Sequence, residues 1–416
     1  MGMKNFYDIH FHAMNLAHPN LLAFVKRVKW RFLLLASPLA PIAATLEAQK
    51  VKNVQNLLSV MENDIGAFFM MVEYYLKQPG GPVQNGRITV GDESFDGIVI
   101  TPLMMDFGLK NIPTDTFYRI PPRKPIVSQV EDVFNGIADY CAHELQAATE
   151  NGETVYNVVD RDPEAAPLFE IYPFLGINTK NYTSKEMDKM LVKYFSDYRG
   201  SYADFKKKLG KFDGDIEHMD SNFFAGIKLY PPIGFDPWPA DNDERAKVEQ
   251  LYEFCCGNEI PVTVHCSDGG FQLVKDAVNL TCPDRWAKVF SEERFKTLKL
   301  NFAHFGKQSK KKYLFFSQDG WRKRVIELLS YPNVYTDFSY VGLDDEDYRM
   351  LEEACDAHQV LANKLLFGSD FMINLLDVES YNSYLNLFCK PDLFKGRPKT
   401  ALCTTNPEKF LWRQAI

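Results

Sequence analysis

What most constrains this chain is a recurring unit: an apolar run of strand length that ends in a polar residue and leads into a stretch of helical pattern. Five such ends, Lys228, His265, His304, Asp337 and Asp370, are separated by 37, 39, 33 and 33 residues. Two parallel strands need a crossover of a dozen or more residues, usually a helix, so each interval predicts one strand and one helix. The candidate strands are Asn5–His12, Gly97–Met105, Leu168–Leu175, Phe224–Leu229, Pro261–Cys266, Lys299–His304, Asn333–Phe338 and Leu365–Asp370. Eight units of this kind predict an α/β fold, the (β/α)8 TIM barrel. A doubly wound open sheet would need a glycine-rich phosphate turn or another switch-point signal, and the sequence carries none.

The first half of the chain is looser. Residues 13–95 read as an insertion after strand 1, with helical patterns at Leu21–Leu35 and Val51–Lys77. Residues 178–222 read as a second helical insertion, after strand 3. Loops that follow strand C-termini lie on the catalytic face of a barrel, so both insertions are expected to shape the pocket. No repeat, low-complexity linker or composition break divides the sequence, and residues 1–416 read as one domain.

A net charge of −8 argues against nucleic acid or an anionic membrane as the main partner. The basic runs Lys310-Lys311-Lys312 and Arg322-Lys323-Arg324 read as solvated helix faces. Eight scattered cysteines without CxxC spacing give neither a disulfide framework nor a zinc ribbon, so a reducing, cytoplasmic setting is the expectation. No secretory signal opens the sequence, because Lys4 to His12 already reads as a strand. The apolar stretch Phe32 to Leu46 holds Pro38 and Pro41, is too short to span a bilayer, and reads as buried loop and helix. A small-molecule substrate is the expected partner, and a homo-oligomer is compatible with the sequence.

The chemistry begins at Asp8-Ile9-His10-Phe11-His12. Residues two apart in a strand point to the same side, so His10 and His12 project together while Phe11 faces away. Two imidazoles at the top of one strand are half a metal site. Strands ending in His265, His304 and Asp370 supply more donors, and Lys228 lies late in strand 4. Strand C-termini converge on one rim of a barrel, which makes these distant residues neighbours. Imidazole and carboxylate suit a borderline divalent ion, Zn2+ first, with Fe2+ and Mn2+ as alternatives. Asp106 and Asp337, which end strands 2 and 7, read either as pocket residues or as loop caps. Tyr230, Phe235 and Trp238 follow strand 4 and read as a wall of the substrate site or as packing. His18, His143, His218 and His358 fall in loops or helices and read as surface residues.

This set of residues resembles the amidohydrolase superfamily over the whole span from His10 to Asp370. The phrases Gly226-Ile-Lys-Leu-Tyr-Pro-Pro232, Val264-His-Cys-Ser-Asp-Gly-Gly270 and Thr405-Asn-Pro-Glu-Lys-Phe-Leu411 resemble its amidohydrolase-related branch, which includes the aminocarboxymuconate-semialdehyde decarboxylase relatives. The resemblance implies His10, His12, His265 and Asp370 as ligands of one metal per chain. It implies His304 as a catalytic residue beside that metal, or as a ligand of a second one. Lys228 would bridge two metals if carboxylated; unmodified, it would meet a substrate or pocket carboxylate, and the motif leans to the unmodified form.

The reaction these residues imply is attack of metal-activated water on a C–N or C–O bond of an amide, cyclic amide, ester or lactone. Asp370 would carry the proton and His304 would polarise the carbonyl. Non-oxidative decarboxylation or hydration of an unsaturated carboxylic acid fits the same residues. A metal-binding barrel without catalysis is the third alternative.

Overall fold

The computed structural model describes residues 4–19, 48–108, 126–309, 320–394 and 399–413. Leu21–Leu35, Phe32–Leu46 and the run Lys310–Lys312 lie outside the described residues.

The predicted strands are present, in two parallel sheets. One orders β1 (Asn5–Phe11), β5 (Gly97–Pro102) and β8 (Phe169–Ile171) side by side. The other runs β9 (Phe174–Gly176), β10 (Gly226–Leu229), β11 (Val262–Val264), β12 (Leu300–Phe302), β13 (Val334–Asp337) and β14 (Leu365–Leu366). Their register aligns Ile227, Val262, Leu300 and Val334 across four strands. Every residue of β1, β10, β11, β12 and β13 is buried. That is the signature of parallel strands covered on both faces, and it explains why they read as continuous apolar runs.

The two sheets touch at both ends. Leu103, just past β5, bridges Phe174 of β9, and Phe11 of β1 bridges Phe371, beyond β14. Met104 N–H donates to the Phe174 carbonyl at 3.1 Å, Ile9 N–H to Phe367 at 3.2 Å, and Asp370 N–H to His10 at 2.7 Å. The predicted third strand is broken between β8 and β9 at Tyr172-Pro173, because proline cannot donate to the ladder.

Phe11 points away from the imidazoles, as the alternation requires. Its ring packs against Phe68, Phe69, Phe371 and Tyr381. Phe68 and Phe69 come from helix α2 (Ile65–Leu76), Tyr381 from the helix Tyr381–Cys389, and Phe371 from the segment beyond β14. The pattern Val51–Lys77 forms two helices, α1 (Ala48–Met61) and α2, broken where Asp64 takes an extended conformation ahead of Ile65. A small antiparallel sheet, β2 (Val83–Gln84), β3 (Arg87–Val90) and β4 (Glu93–Phe95), completes that region. Residues 178–222 contain helices at Ser184–Phe195 and Tyr202–Lys208; the first starts with a capping box between Thr183 and Glu186.

Besides the small sheet β2–β4, a further element has no counterpart in the sequence reading. After helix α3 (Ile126–Ala142) the chain forms an antiparallel ribbon, β6 (His143–Glu150) and β7 (Glu153–Asp160). His18 also differs from its surface reading: it is buried, 2.8 Å from Asp132 on α3. The loop after β1 folds down onto that helix and carries the ring with it. No helix among the described residues is long and apolar enough to cross a membrane.

Candidate metal centre

The strand ends bring His10, His12, Lys228, His265, His304 and Asp370 to one place, and all six side chains are buried. One ligand atom each from His10, His304 and Asp370 lie within 4.8 Å of one another. Nε2 of His10 and Nε2 of His12 both lie 3.1 Å from the same oxygen, Oδ1 of Asp370. Nε2 of His304 lies 3.0 Å from Nδ1 of His265.

The surrounding hydrogen bonds decide which nitrogen each ring presents. The hydroxyl of Ser339 donates to Asp337, so it cannot also donate to an imidazole. Nδ1 of His10 must then carry its own proton, and donates it to Oδ2 of Asp337 at 3.1 Å. Nδ1 of His304 donates to the Ser339 carbonyl at 3.0 Å, and Nδ1 of His12 to the Leu103 carbonyl at 3.0 Å. All three rings therefore turn a bare Nε2 inward. Two of those lone pairs face a carboxylate oxygen at 3.1 Å, and Nε2 of His10 makes no hydrogen bond at all. Buried acceptors aimed at one another repel unless a cation lies between them, either a proton or a metal ion. Imidazole nitrogens with a carboxylate are a donor set that suits a divalent ion such as Zn2+.

The titration tendencies agree with ligand character. Burial pushes the imidazoles of His12 and His265 down, and that of His304 down to about 3, so these rings stay neutral. Burial and Lys228 push His10 down too, but Asp337 and Asp370 outweigh them and leave it raised. Burial opposes ionisation of Asp370, yet a proton shared from Nε2 of His10 or His12 would hold its carboxyl well below the usual range, the place a metal ion would take. Lys228 is fully buried, its Nζ has no hydrogen-bond partner, and burial lowers it to about 8 against the pull of Asp337 and Asp370.

The sequence reading put His265 in the ligand set with His304 beside it. The geometry places His304 in the cluster and turns His265 onto it, with Nε2 of His265 3.1 Å from the Ser267 hydroxyl. Asp337 is the residue that sequence reasoning undervalued. Its carboxylate accepts from His10, from the backbone N–H groups of His304 and Ser339 at 3.0 Å, from Asn301 at 2.7 Å and from the Ser339 hydroxyl. Asp106 is a loop cap, accepting from the Asn178 N–H at 3.1 Å and the Tyr182 hydroxyl at 2.7 Å.

Above the cluster is an open cavity of about 90 Å3, lined among others by Tyr230, Phe271, Lys307 and Tyr340. Tyr230 packs on His265 at 4.7 Å between ring centroids. Phe235 and Trp238 do not line the cavity; Trp238 packs on Phe295 instead. His304, Tyr340 and Asp370 turn the chain at the strand ends with positive φ values of 63°, 57° and 60°. Non-glycine residues held in the left-handed region cluster where a fold fixes functional groups. Gly270, at φ 92°, passes so close that a Cβ would meet the Tyr230 hydroxyl at 2.5 Å and Nε2 of His265 at 2.9 Å.

Residues 212–412 match the family model described as amidohydrolase. Over this stretch, just under half of the chain, the sequence is similar to the amidohydrolases. The match takes in Lys228, His265, His304, Asp337 and Asp370, while His10 and His12 lie N-terminal to it. No curated protein matches the sequence. Three solved structures are distantly similar. One, from Acinetobacter baumannii with citric acid bound, is assigned as a 2-pyrone-4,6-dicarboxylic acid hydrolase: 12% identity, 76% of this chain and 84% of that chain covered, TM-score 0.41. Another, from Lactobacillus casei, is assigned as a metal-dependent hydrolase: 13% identity, 99% and 98% covered, TM-score 0.43. The third is an amidohydrolase from Mycobacterium avium subsp. paratuberculosis: 13% identity, 77% and 71% covered, TM-score 0.33.

Proposed function

We propose that this chain is a metal-dependent amidohydrolase that holds one divalent ion, Zn2+ by preference, and hydrolyses a C–N or C–O bond in an amide, cyclic amide, ester or lactone. The observation that carries the reading is the convergence of the bare Nε2 atoms of His10 and His12 on one oxygen of Asp370. His10, His12 and Asp370 would hold the ion, with the remaining imidazole from the His265–His304 pair. When bound, such an ion acts as a Lewis acid and lowers the pKa of water from about 16 toward about 7. Asp370 would take the proton of the attacking water and pass it to the leaving atom. Tyr230 and Phe271 wall the substrate side, and Lys228 sits beneath as a buried cation. Lys228 is read as unmodified.

In the same reading the two sheets close into one eight-stranded barrel over residues 1–416, with β8 and β9 counted as a single broken strand. The contacts at Leu103–Phe174 and Phe11–Phe371 support it. The phrases around Lys228, His265 and Asn406 favour the amidohydrolase-related branch.

An orphaned lysine amine in the site favours one rival: decarboxylation or hydration of an unsaturated carboxylic acid, with Lys228 meeting the carboxylate. The test is a panel of amides, lactones, esters and unsaturated acids given to zinc-loaded protein. Hydrolysis that chelation abolishes is the expected result. Release of CO2 from the acids, with no hydrolysis, would replace the hydrolase reading by the lyase one.

A further inference from the structure

The ribbon formed by β6 and β7 pairs His143 with Asp160 at its base and Glu150 with Glu153 at its tip. Its turn is Asn151-Gly152, with φ values of 52° and 84°, the two left-handed residues of a type I′ hairpin. Because it lies between α3 and β8, it leaves from the N-terminal ends of the strands, away from His10 and Asp370. Among the described residues β7 pairs with β6 alone, so its outer edge is unpaired.

That edge lacks the devices that normally protect one. β7 contains no Lys, Arg or Pro, and its middle six residues, Thr154 to Val159, carry no charge. Val155, Tyr156, Val158 and Val159 give it high strand propensity. Tyr156 and Val158 are 45% and 53% exposed. Helix α2 packs on the ribbon, with Tyr156 against Tyr74 and Tyr75 at 5.5 and 6.4 Å between ring centroids, but among the described residues the backbone groups along the outer edge of β7 have no strand to pair with.

We propose that β7 is a dimerisation edge, at which two copies of this chain pair antiparallel about a two-fold axis into a four-stranded sheet. The backbone restricts the register. A two-residue turn makes Glu150 and Glu153 a hydrogen-bonded pair, so the N–H and C=O groups of Thr154, Tyr156, Val158 and Asp160 point outward. Outward residues must pair with outward residues. The register that would set Glu153 against Asp160, carboxylate to carboxylate, joins an inward residue to an outward one and is therefore forbidden. Placing Asn157 on the axis sets Tyr156 against Val158 and Thr154 against Asp160 of the second copy, with about eight backbone hydrogen bonds. Val155 then faces Val159 on the other side of the sheet. The edge is complementary to itself: its uncharged stretch covers its own image, and the acidic ends fall clear of each other. A second copy is for that reason the occupant, and the site mouths stay open.

Sedimentation of the full chain at micromolar concentration should show a dimer. Val158→Pro removes an outward N–H and leaves the β6–β7 ladder intact, since Val158 and Leu145 form a non-hydrogen-bonded pair. It should raise the dimer dissociation constant about tenfold or more. Asn157→Cys places two thiols at the axis with Cα atoms roughly 4.5 Å apart, within disulfide reach. Mild oxidation should then give a covalent dimer beyond the background of the native cysteines, measured on wild type in parallel. A monomeric wild-type protein overturns the proposal. So does a dimer that is indifferent to Val158→Pro and gains no cross-link from Asn157→Cys. Should Val158→Pro fail to fold, the cross-link decides.

Discussion

Nδ1 of His10 and Oδ2 of Asp337 lie 3.1 Å apart, joining residues 327 positions apart in sequence. This contact makes Nδ1 the protonated nitrogen of His10 and turns Nε2, bare, toward Asp370. Through Ser339 the same carboxylate also sets the tautomer of His304. Carboxylate–imidazole pairs of this kind fix the orientation of a metal-binding ring and raise its basicity.

Asp337→Asn should therefore act on metal affinity. An amide can keep one acceptor oxygen for the backbone N–H groups, but offers His10 a neutral partner. Zinc affinity should fall about 10- to 100-fold, measured by competition with a chromophoric chelator. An unchanged affinity would show that Asp337 only holds the loop.

The proposed ligand set predicts about one divalent ion per chain in protein loaded with zinc and then desalted. Replacing His10 and His12 together by Ala should remove the ion and leave the fold, because the apolar layers of the core are untouched. Elemental analysis with circular dichroism checks both halves. Full zinc content in the double variant would put the metal elsewhere.

Asp370→Asn tests proton transfer. A general acid–base group contributes about 10²- to 10⁴-fold, so kcat should fall by that factor. Asp370 also faces His10 and His12, so zinc must be quantified in the same sample. Wild-type turnover at full metal content would remove Asp370 from the chemistry.

Much of the site was legible because strand ends are: an apolar run closing on His or Asp carries both a position and a direction. His10, His12, His265, His304 and Asp370 were found in that way. Asp337 ends β13 by the same rule, but a carboxylate after a strand equally well caps a loop, and only its five donors distinguish the two roles. The choice between His265 and His304 depends on which ring the Ser339 carbonyl fixes, and sequence spacing cannot express that. The ribbon at 143–160 did leave a signal, since Asn151-Gly152 lies between segments of strand propensity. It was overlooked because β6 follows α3 without a break, and Glu-Leu-Gln-Ala-Ala reads as more helix. His18 was misplaced because burial of a loop residue depends on a distant partner, Asp132.

Lys228 sets function against stability. Burial lowers its amine from 10.5 to about 8. Below pH 8 the folded protein keeps the ammonium charged in a site that disfavours it, while the unfolded chain solvates it freely. The destabilisation is thus complete below pH 8, shrinks as pH rises from 8 to 10.5, and is gone above. A depression of that size corresponds to ~3 kcal/mol at 1.36 kcal/mol per unit. Lys228→Met keeps most of the length of the side chain and removes the charge. In metal-free protein at pH 7 it should raise the midpoint of thermal unfolding, and the gain should fade toward pH 10.5. The zinc-loaded variant should keep about one ion per chain and lose turnover through kcat or KM. If Lys228 were instead a carbamate bridging two ions, the substitution would lower metal content, and bicarbonate would raise the activity of wild-type protein rebuilt from its apo form. Loss of both stability and metal on Lys228→Met would overturn the assignment of an unmodified lysine.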